Sequence, residues 1–245
     1  MRICRGDAVW HFTGEALMGL ASVPKEELAK SVVHVTRITS YVKQWLRVVG
    51  VEEAQIVGGD LYADQLLAPE LGACGKPRQF QVDWLSSRVS DSLATVFQPI
   101  AESMTGHEEH LLIFIRRTHS RLCCSSAIEV KLRSFAQSTG LHFHAHDDSN
   151  LPSVQAQLSY FSKARIIVAP HGAGLVNLLA VMAPAAVIEL TLLSRIDLCF
   201  ARLTYLLGLY YQNIPLDADG KSLTGSNKKE LDAALEAASL YVSAI

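Results

Sequence analysis

The chain predicts an α/β fold, a parallel sheet with helices on both faces. Three observations carry this. Short apolar, β-branched runs recur without polar alternation, as strands buried on both faces require. From Leu111 onward these runs alternate with segments of helical periodicity. Arg165–Leu190, RIIVAPHGAGLVNLLAVMAPAAVIEL, reads as strand, tight turn, helix, proline break and second strand within 26 residues.

The elements follow in order. Ser31–Val35 reads as a strand, Ser40–Val49 as a helix closed by Gly50, and Ala54–Val57 as a strand. Asp83–Phe97 is helical, a bridge between the halves. Gly72–Pro77 and Met104–His110 are loops. Leu111–Ile115 opens the alternating half. Ser125–Thr139 is a helix through Ile128, Leu132 and Phe135, stopped by Gly140. Leu141–His146 is a strand and Pro152–Ala164 a helix carrying Val154, Leu158 and Phe161. Strand Arg165–Ala169, helix Ala173–Met182 and strand Ala186–Leu190 come next. Helix Ile196–Gly208, strand Leu209–Ile214 and an amphipathic tail helix Lys228–Val242, with Leu231, Leu235 and Tyr241 inward, complete the chain.

Composition narrows the function. The 245 residues are 49% hydrophobic and 19% charged, enough for a real core and too apolar for extended disorder. Net charge is -2 with no basic run or aromatic-basic interleaving, which argues against a nucleic-acid partner. The five cysteines (Cys4, Cys74, Cys123, Cys124, Cys199) form no C-x-x-C pair, so neither a zinc ribbon nor a secreted disulfide scaffold is indicated. Cys123-Cys124 reads as free thiols, with a redox pair the alternative. The N-terminus has mixed charge and no apolar signal core. Ile166–Ile188 is uncharged and long enough to span a bilayer, but Pro170, His171, Asn177 and Pro184 fit a strand–helix–strand core instead.

The chemistry centres on His171-Gly172-Ala173-Gly174. The glycines are expected to let the backbone turn sharply and approach a ligand. A helix opening there aims free N–H groups and a positive dipole end outward, which suits a diphosphate. In a parallel sheet ligands bind at the carboxyl ends of the strands, where His171 and Glu189 are expected to fall.

APHGAGLVNLL…AAVIEL, with His171, Gly172, Gly174, Asn177 and Glu189 in order, closely resembles the signature of the family 61 glycosyltransferases. This DUF563 group includes plant xylan-decorating xylosyl- and arabinosyltransferases and animal protein O-linked N-acetylglucosaminyltransferases. The resemblance is strong over Leu111–Leu216 and looser over Ser31–Val89. It is not evident in the N-terminal residues or the tail. It implies a GT-B fold of two facing Rossmann-like domains. Residues 1–97 would be a partial acceptor-side domain with its bridging helix, and 98–245 the donor nucleotide-sugar domain. In Ala63–Pro69 it implies a strand bringing Leu66-Leu67 toward the interdomain region. Family members are held in the Golgi or ER by an N-terminal membrane helix. The chain shows none, and the expectation is a fragment.

The resemblance assigns residues to donor binding. Arg117 and Arg121, in IRRTHSR, would hold the diphosphate through planar guanidinium forks, with Arg116 a weaker candidate. The alternative for all three is a solvated loop. The family often continues into an asparagine where this chain has Leu122-Cys123-Cys124. His171 would donate to a phosphate oxygen or the sugar. Gly172, Ala173 and Gly174 would supply backbone N–H groups. Glu189 would accept the ribose hydroxyls. Asn177 either touches ligand or fixes the turn, and Gln157 reads as structural. His142, His144 and His146 share a strand face and with Asp147 could hold a metal; a polar edge of the sheet is the simpler reading, and no metal site is assigned. No catalytic base is singled out, although Asp60, Asp64 and His34 are conceivable.

The expected activity is inverting transfer of a sugar from a UDP-sugar to a hydroxyl of a glycan or glycoprotein, without a metal or other cofactor. The alternative is a non-catalytic nucleotide-sugar-binding module. An esterase would need a Gly-x-Ser-x-Gly elbow, which is absent, and a dinucleotide oxidoreductase a third glycine.

Overall fold

The computed structural model describes residues 9–70, 75–97, 110–117, 126–192, 197–217 and 225–244. Arg121, Cys4, Cys74, Cys123 and Cys124 lie outside them. The chain divides into two compact units: Met1–Met104 with Ser153–Leu158, and Thr105–Pro152 with Ser159–Ile245.

The first unit begins with helix α1 (Val9–His11), continued by a π-helix Phe12–Leu17 and a 3-10 turn Leu20–Ser22. Helix α2 (Lys25–Lys30) precedes strand β1 (Val33–His34). Helix α3 (Ser40–Val48) starts where the Thr39 hydroxyl accepts from Val42 N and ends before Gly50, whose φ of 85° stops the helix. Strand β2 (Ile56–Val57) pairs parallel with β1. Helix α4 (Gln79–Phe97) begins four residues before its expected start. Trp45 and Leu46 of α3 and Val82, Leu85 and Val89 of α4 are buried. The expected strand in Ala63–Pro69 is not formed: the segment is irregular, and Leu66 and Leu67 are exposed. Among the described residues β1 and β2 form a sheet of two strands that does not include it.

Among the described residues the second unit carries five parallel strands: β3 (Leu111–Arg116), β4 (His142–Asp147), β5 (Ala164–Pro170), β6 (Ala186–Leu192) and β7 (Tyr210–Leu216), ordered β4-β3-β5-β6-β7. Helix α5 (Ser126–Thr139) connects β3 to β4, and helix α6 (Val154–Phe161) connects β4 to β5. Helix α7 (Cys199–Leu206) connects β6 to β7, and helix α8 (Gly225–Ser243) follows. Strand alternation divides the core. Leu112, Phe114, Ile166, Val168, Ile188, Leu190 and Ile214 pack with Ile128 and Leu132 of α5 and Leu231 and Leu235 of α8. Burying these side chains at about 25 cal/mol per Å2 is the main stabilising term of the unit. The chain order reverses between β3 and β5, the switch point where a doubly wound sheet opens a crevice at its carboxyl edge.

The β5–β6 crossover departs from expectation. Ala173–Ala180 is a 3-10 helix, not an α-helix. This crossover must run back along the sheet. Eight residues of 3-10 helix cover roughly 16 Å, against roughly 12 Å for an α-helix. Leu175 to Ala180 are buried, so packing outweighs the poorer hydrogen-bond geometry.

Candidate functional site

The site is built after the carboxyl ends of β3 and β5, with side chains from the middle of β6 and the start of β7. Alternation separates the two adjacent arginines. Arg116, the last residue of β3, lies on the face covered by α5. Its guanidinium donates to both carboxylate oxygens of Glu129, at 2.8 and 2.8 Å from Nη2, and to Asp147 Oδ2 at 3.0 Å. Arg133 bonds the same Glu129 carboxylate at 2.7 Å. Arg116 therefore serves this network, and its expected secondary part at a diphosphate is not favoured. Arg117 goes to the other face. Its Nη1 donates to the His171 carbonyl at 2.7 Å, and Nε lies 3.7 Å from Asp148 Oδ2.

A Cβ on either motif glycine would crowd a side chain of β3 or the residue after it. Neither lies in the left-handed region that favours glycine. At Gly172 φ is 161°, extended backbone open to any residue, but a Cβ there would lie 2.7 Å from Arg117 Cζ. A Cβ on Gly174 would lie 3.2 Å from Ile115 Cγ2. The first bond of the 3-10 helix runs from Leu175 N to Gly172 O, so the N–H groups of Ala173 and Gly174 precede it. Buried Asn177 donates from Nδ2 to Gly174 O at 3.1 Å, which fastens the turn.

Glu189 is placed differently from its expected strand end. Strand β6 runs on to Leu192, so Glu189 is the fourth of seven residues, fully buried, in register with Ala169 and Asn213. Its Oε1 accepts from His171 Nδ1 at 2.6 Å and its Oε2 from the Tyr211 hydroxyl at 2.5 Å. The carboxylate expected to accept ribose hydroxyls thus has one hydrogen-bond partner on each oxygen inside the unit. Burial first, then the Glu189 charge, pushes the Tyr211 phenol up. Thr191 donates to Asn213 Oδ1 at 3.0 Å beside this chain. The His171 ring is a quarter exposed and meets Phe200 edge-on at 5.3 Å.

Among the described residues, His171, Asp197 and Cys199 are three potential metal ligands whose donor atoms lie within 4.8 Å of one another. Asp197 accepts from Cys199 N at 3.0 Å, and burial followed by the Asp197 charge pushes the thiol up, so the trio carries a proton. His142, His144 and His146 do not converge in this way. His142 is exposed, while buried His146 shares a 2.5 Å bond between Nδ1 and the Tyr160 hydroxyl. In the first unit, His34, Asp60 and Asp64 are exposed, and His34 Nε2 bonds Gly59 O at 2.7 Å.

Reading by sequence missed Tyr211, Asn213 and Asp148. The alternation of Tyr211 and Asn213 on β7, facing a lone glutamate on an apolar strand, was the available signal.

Two comparisons bear on this geometry. The family model Glycosyltransferase 61 matches residues 9–188. The match starts well before Ser31, in residues where no resemblance is evident by eye, and stops one residue before Glu189. No curated protein matches the chain.

Proposed function

Because the chain belongs to the glycosyltransferase 61 family, whose activity is glycosyl transfer from a sugar donor to an acceptor, we propose that its second unit is the donor-binding domain of a GT-B enzyme. The donor is a UDP-sugar and the acceptor a hydroxyl of a glycan or glycoprotein. Transfer inverts the anomeric carbon, in the lumen of the secretory pathway. The observation that carries this reading is the Arg117 guanidinium on the His171-Gly172 backbone at the sheet's switch point. It sets a cation beside the Ala173 and Gly174 N–H groups, the donors a leaving diphosphate needs.

Arg117 and His171 bind the diphosphate, with Arg121 from the segment after β3 as a second guanidinium. Glu189 acts at one remove, by holding His171. Charge on the leaving group is met by these groups, so the proposed chemistry is metal-independent.

Calorimetric titration with UDP in the absence of divalent metal tests the reading. Binding in the micromolar to low millimolar range is expected. No heat at millimolar UDP overturns it. Incubation with UDP-sugars then separates an enzyme from a non-catalytic module: the enzyme releases UDP by transfer or slow hydrolysis, the module only binds.

A further inference from the structure

We propose that His171, Asp197 and Cys199 form a zinc site, and that zinc bound there competes with the diphosphate for His171. The site rests on its own geometry; its effect on the diphosphate deepens the donor-site reading and rests on it. A ring nitrogen, a carboxylate oxygen and the thiol sulfur lie within 4.8 Å of one another. Nitrogen, sulfur and oxygen in one set suit zinc, whereas magnesium and manganese favour oxygen ligands. Three protein ligands leave the fourth tetrahedral position to solvent. Ligand atoms around zinc stand roughly 3–4 Å apart, and Asp197, exposed just before α7, can close the remaining gap by a change of rotamer. Cys199 is buried at the start of α7. Zinc displaces the thiol proton to solvent and holds the thiolate.

A second observation, outside the trio, points the same way. An imidazole that binds a metal characteristically gives its other ring nitrogen to a carboxylate, which fixes the ring. His171 does so: Nδ1 lies 2.6 Å from Oε1 of fully buried Glu189, and the Tyr211 hydroxyl holds Glu189 Oε2 at 2.5 Å. The His171 backbone is fixed as well. Its N–H donates to Leu190 O at 2.8 Å, and its carbonyl accepts from Arg117 at 2.7 Å. Nε2 is then the ring nitrogen left for an ion. Zinc with one thiolate and one carboxylate carries no net charge, and the Glu189 carboxylate stands behind it. The filled site offers an incoming diphosphate little attraction, and it has taken the imidazole that would donate to it.

Cobalt(II) is the probe for the site, because a thiolate ligand gives it a sulfur-to-metal charge-transfer absorption. One equivalent added to the reduced, metal-free chain should produce that band, and zinc should bleach it. Cys199→Ser should remove the band, and Asp197→Asn should weaken cobalt binding about tenfold or more. Replacing Cys4, Cys74, Cys123 and Cys124 by serine should leave it in place. Calorimetry then reads the competition. Saturating zinc should raise the apparent Kd for UDP on the order of tenfold or more. Asp197→Asn should lose this sensitivity, which corrects for zinc chelated by UDP itself. No charge-transfer band, or a band that survives Cys199→Ser, overturns the zinc site and leaves the donor-site reading intact. A UDP affinity that zinc leaves unchanged, raises, or lowers equally in Asp197→Asn overturns the competition. Absence of UDP binding to the metal-free chain overturns the donor-site reading, and the cobalt spectrum still decides the zinc site.

Discussion

The guanidinium of Arg117 lies where a side chain at residue 172 would begin, with Cζ 2.7 Å from an ideal Cβ and Nη1 bonded to the His171 carbonyl at 2.7 Å. The first glycine of the motif and the second arginine of Arg116-Arg117 are two halves of one contact. Gly172→Ala must displace either the loop or the guanidinium. The guanidinium is the far end of a flexible side chain and gives way more readily than the loop, at the loss of its bond to the His171 carbonyl. The expected outcome is a thermal midpoint close to the parent's and a UDP affinity reduced toward that of Arg117→Ala. An alanine variant that binds UDP like the parent separates Arg117 from the ligand.

The two adjacent arginines should respond oppositely. A charge-assisted hydrogen bond contributes about 1.5–3 kcal/mol, so Arg117→Ala should weaken UDP binding by roughly 10–100-fold. Arg116→Ala should leave affinity within about twofold but destabilise the fold, because Glu129 and Asp147 lose their shared partner. Paired titration and denaturant curves check both variants.

Those assignments show where sequence reading was sufficient. Strands, helices and their order in the second unit were legible because short apolar runs alternate with segments of helical period and several have a clear stop, as at Gly140 with its φ of 73°. The role of each arginine was not, because ending β3 at Ile115 instead of Arg116 leaves the face of both undecided. A two-residue error at β6 put Glu189 near an edge, where the structure gives it two partners inside the unit. The sequence reading assigned no element before Ser31, where the structure has helices; Gly14 there is a packing glycine inside a π-helix, since a Cβ on it would meet the Trp10 ring at 2.8 Å. The 3-10 crossover was illegible because its sequence is apolar throughout and shows no period to distinguish it from an α-helix.

The Tyr211–Glu189 bond should matter to the fold as well as to the site. Tyr211→Phe keeps the ring and removes the donor to a buried carboxylate oxygen. An unsatisfied buried acceptor costs about 1–3 kcal/mol. The expected shift in urea unfolding lies in that range, with an unchanged dependence on denaturant. A variant as stable as the parent means another donor reaches Glu189 Oε2.

Acid stability should be lost in two windows with separable causes. His146 is buried behind the motif loop, 4.0 Å from where a Gly174 Cβ would lie. Burial, followed by the nearby His144 charge, holds its imidazole down to about 4, against about 6.5 in an unfolded chain. The unfolded state therefore binds the proton first. The contribution is fully present above about pH 6.5 and lost as pH falls toward 4, amounting to on the order of 3 kcal/mol. Asp147 is held low mainly by the Ser149 hydroxyl and amide and then by Arg116, and Glu129 is held low by Arg133 and Arg116 against its burial. Their contributions are present above the ordinary carboxylate range near pH 4 and disappear as pH falls through their lower folded values. Denaturant unfolding measured from pH 7 to pH 3 should accordingly show a first slope that His146→Gln flattens and a second that Arg116→Ala flattens. If His146→Gln leaves the first slope untouched, His146 is not the group that takes up the proton on unfolding.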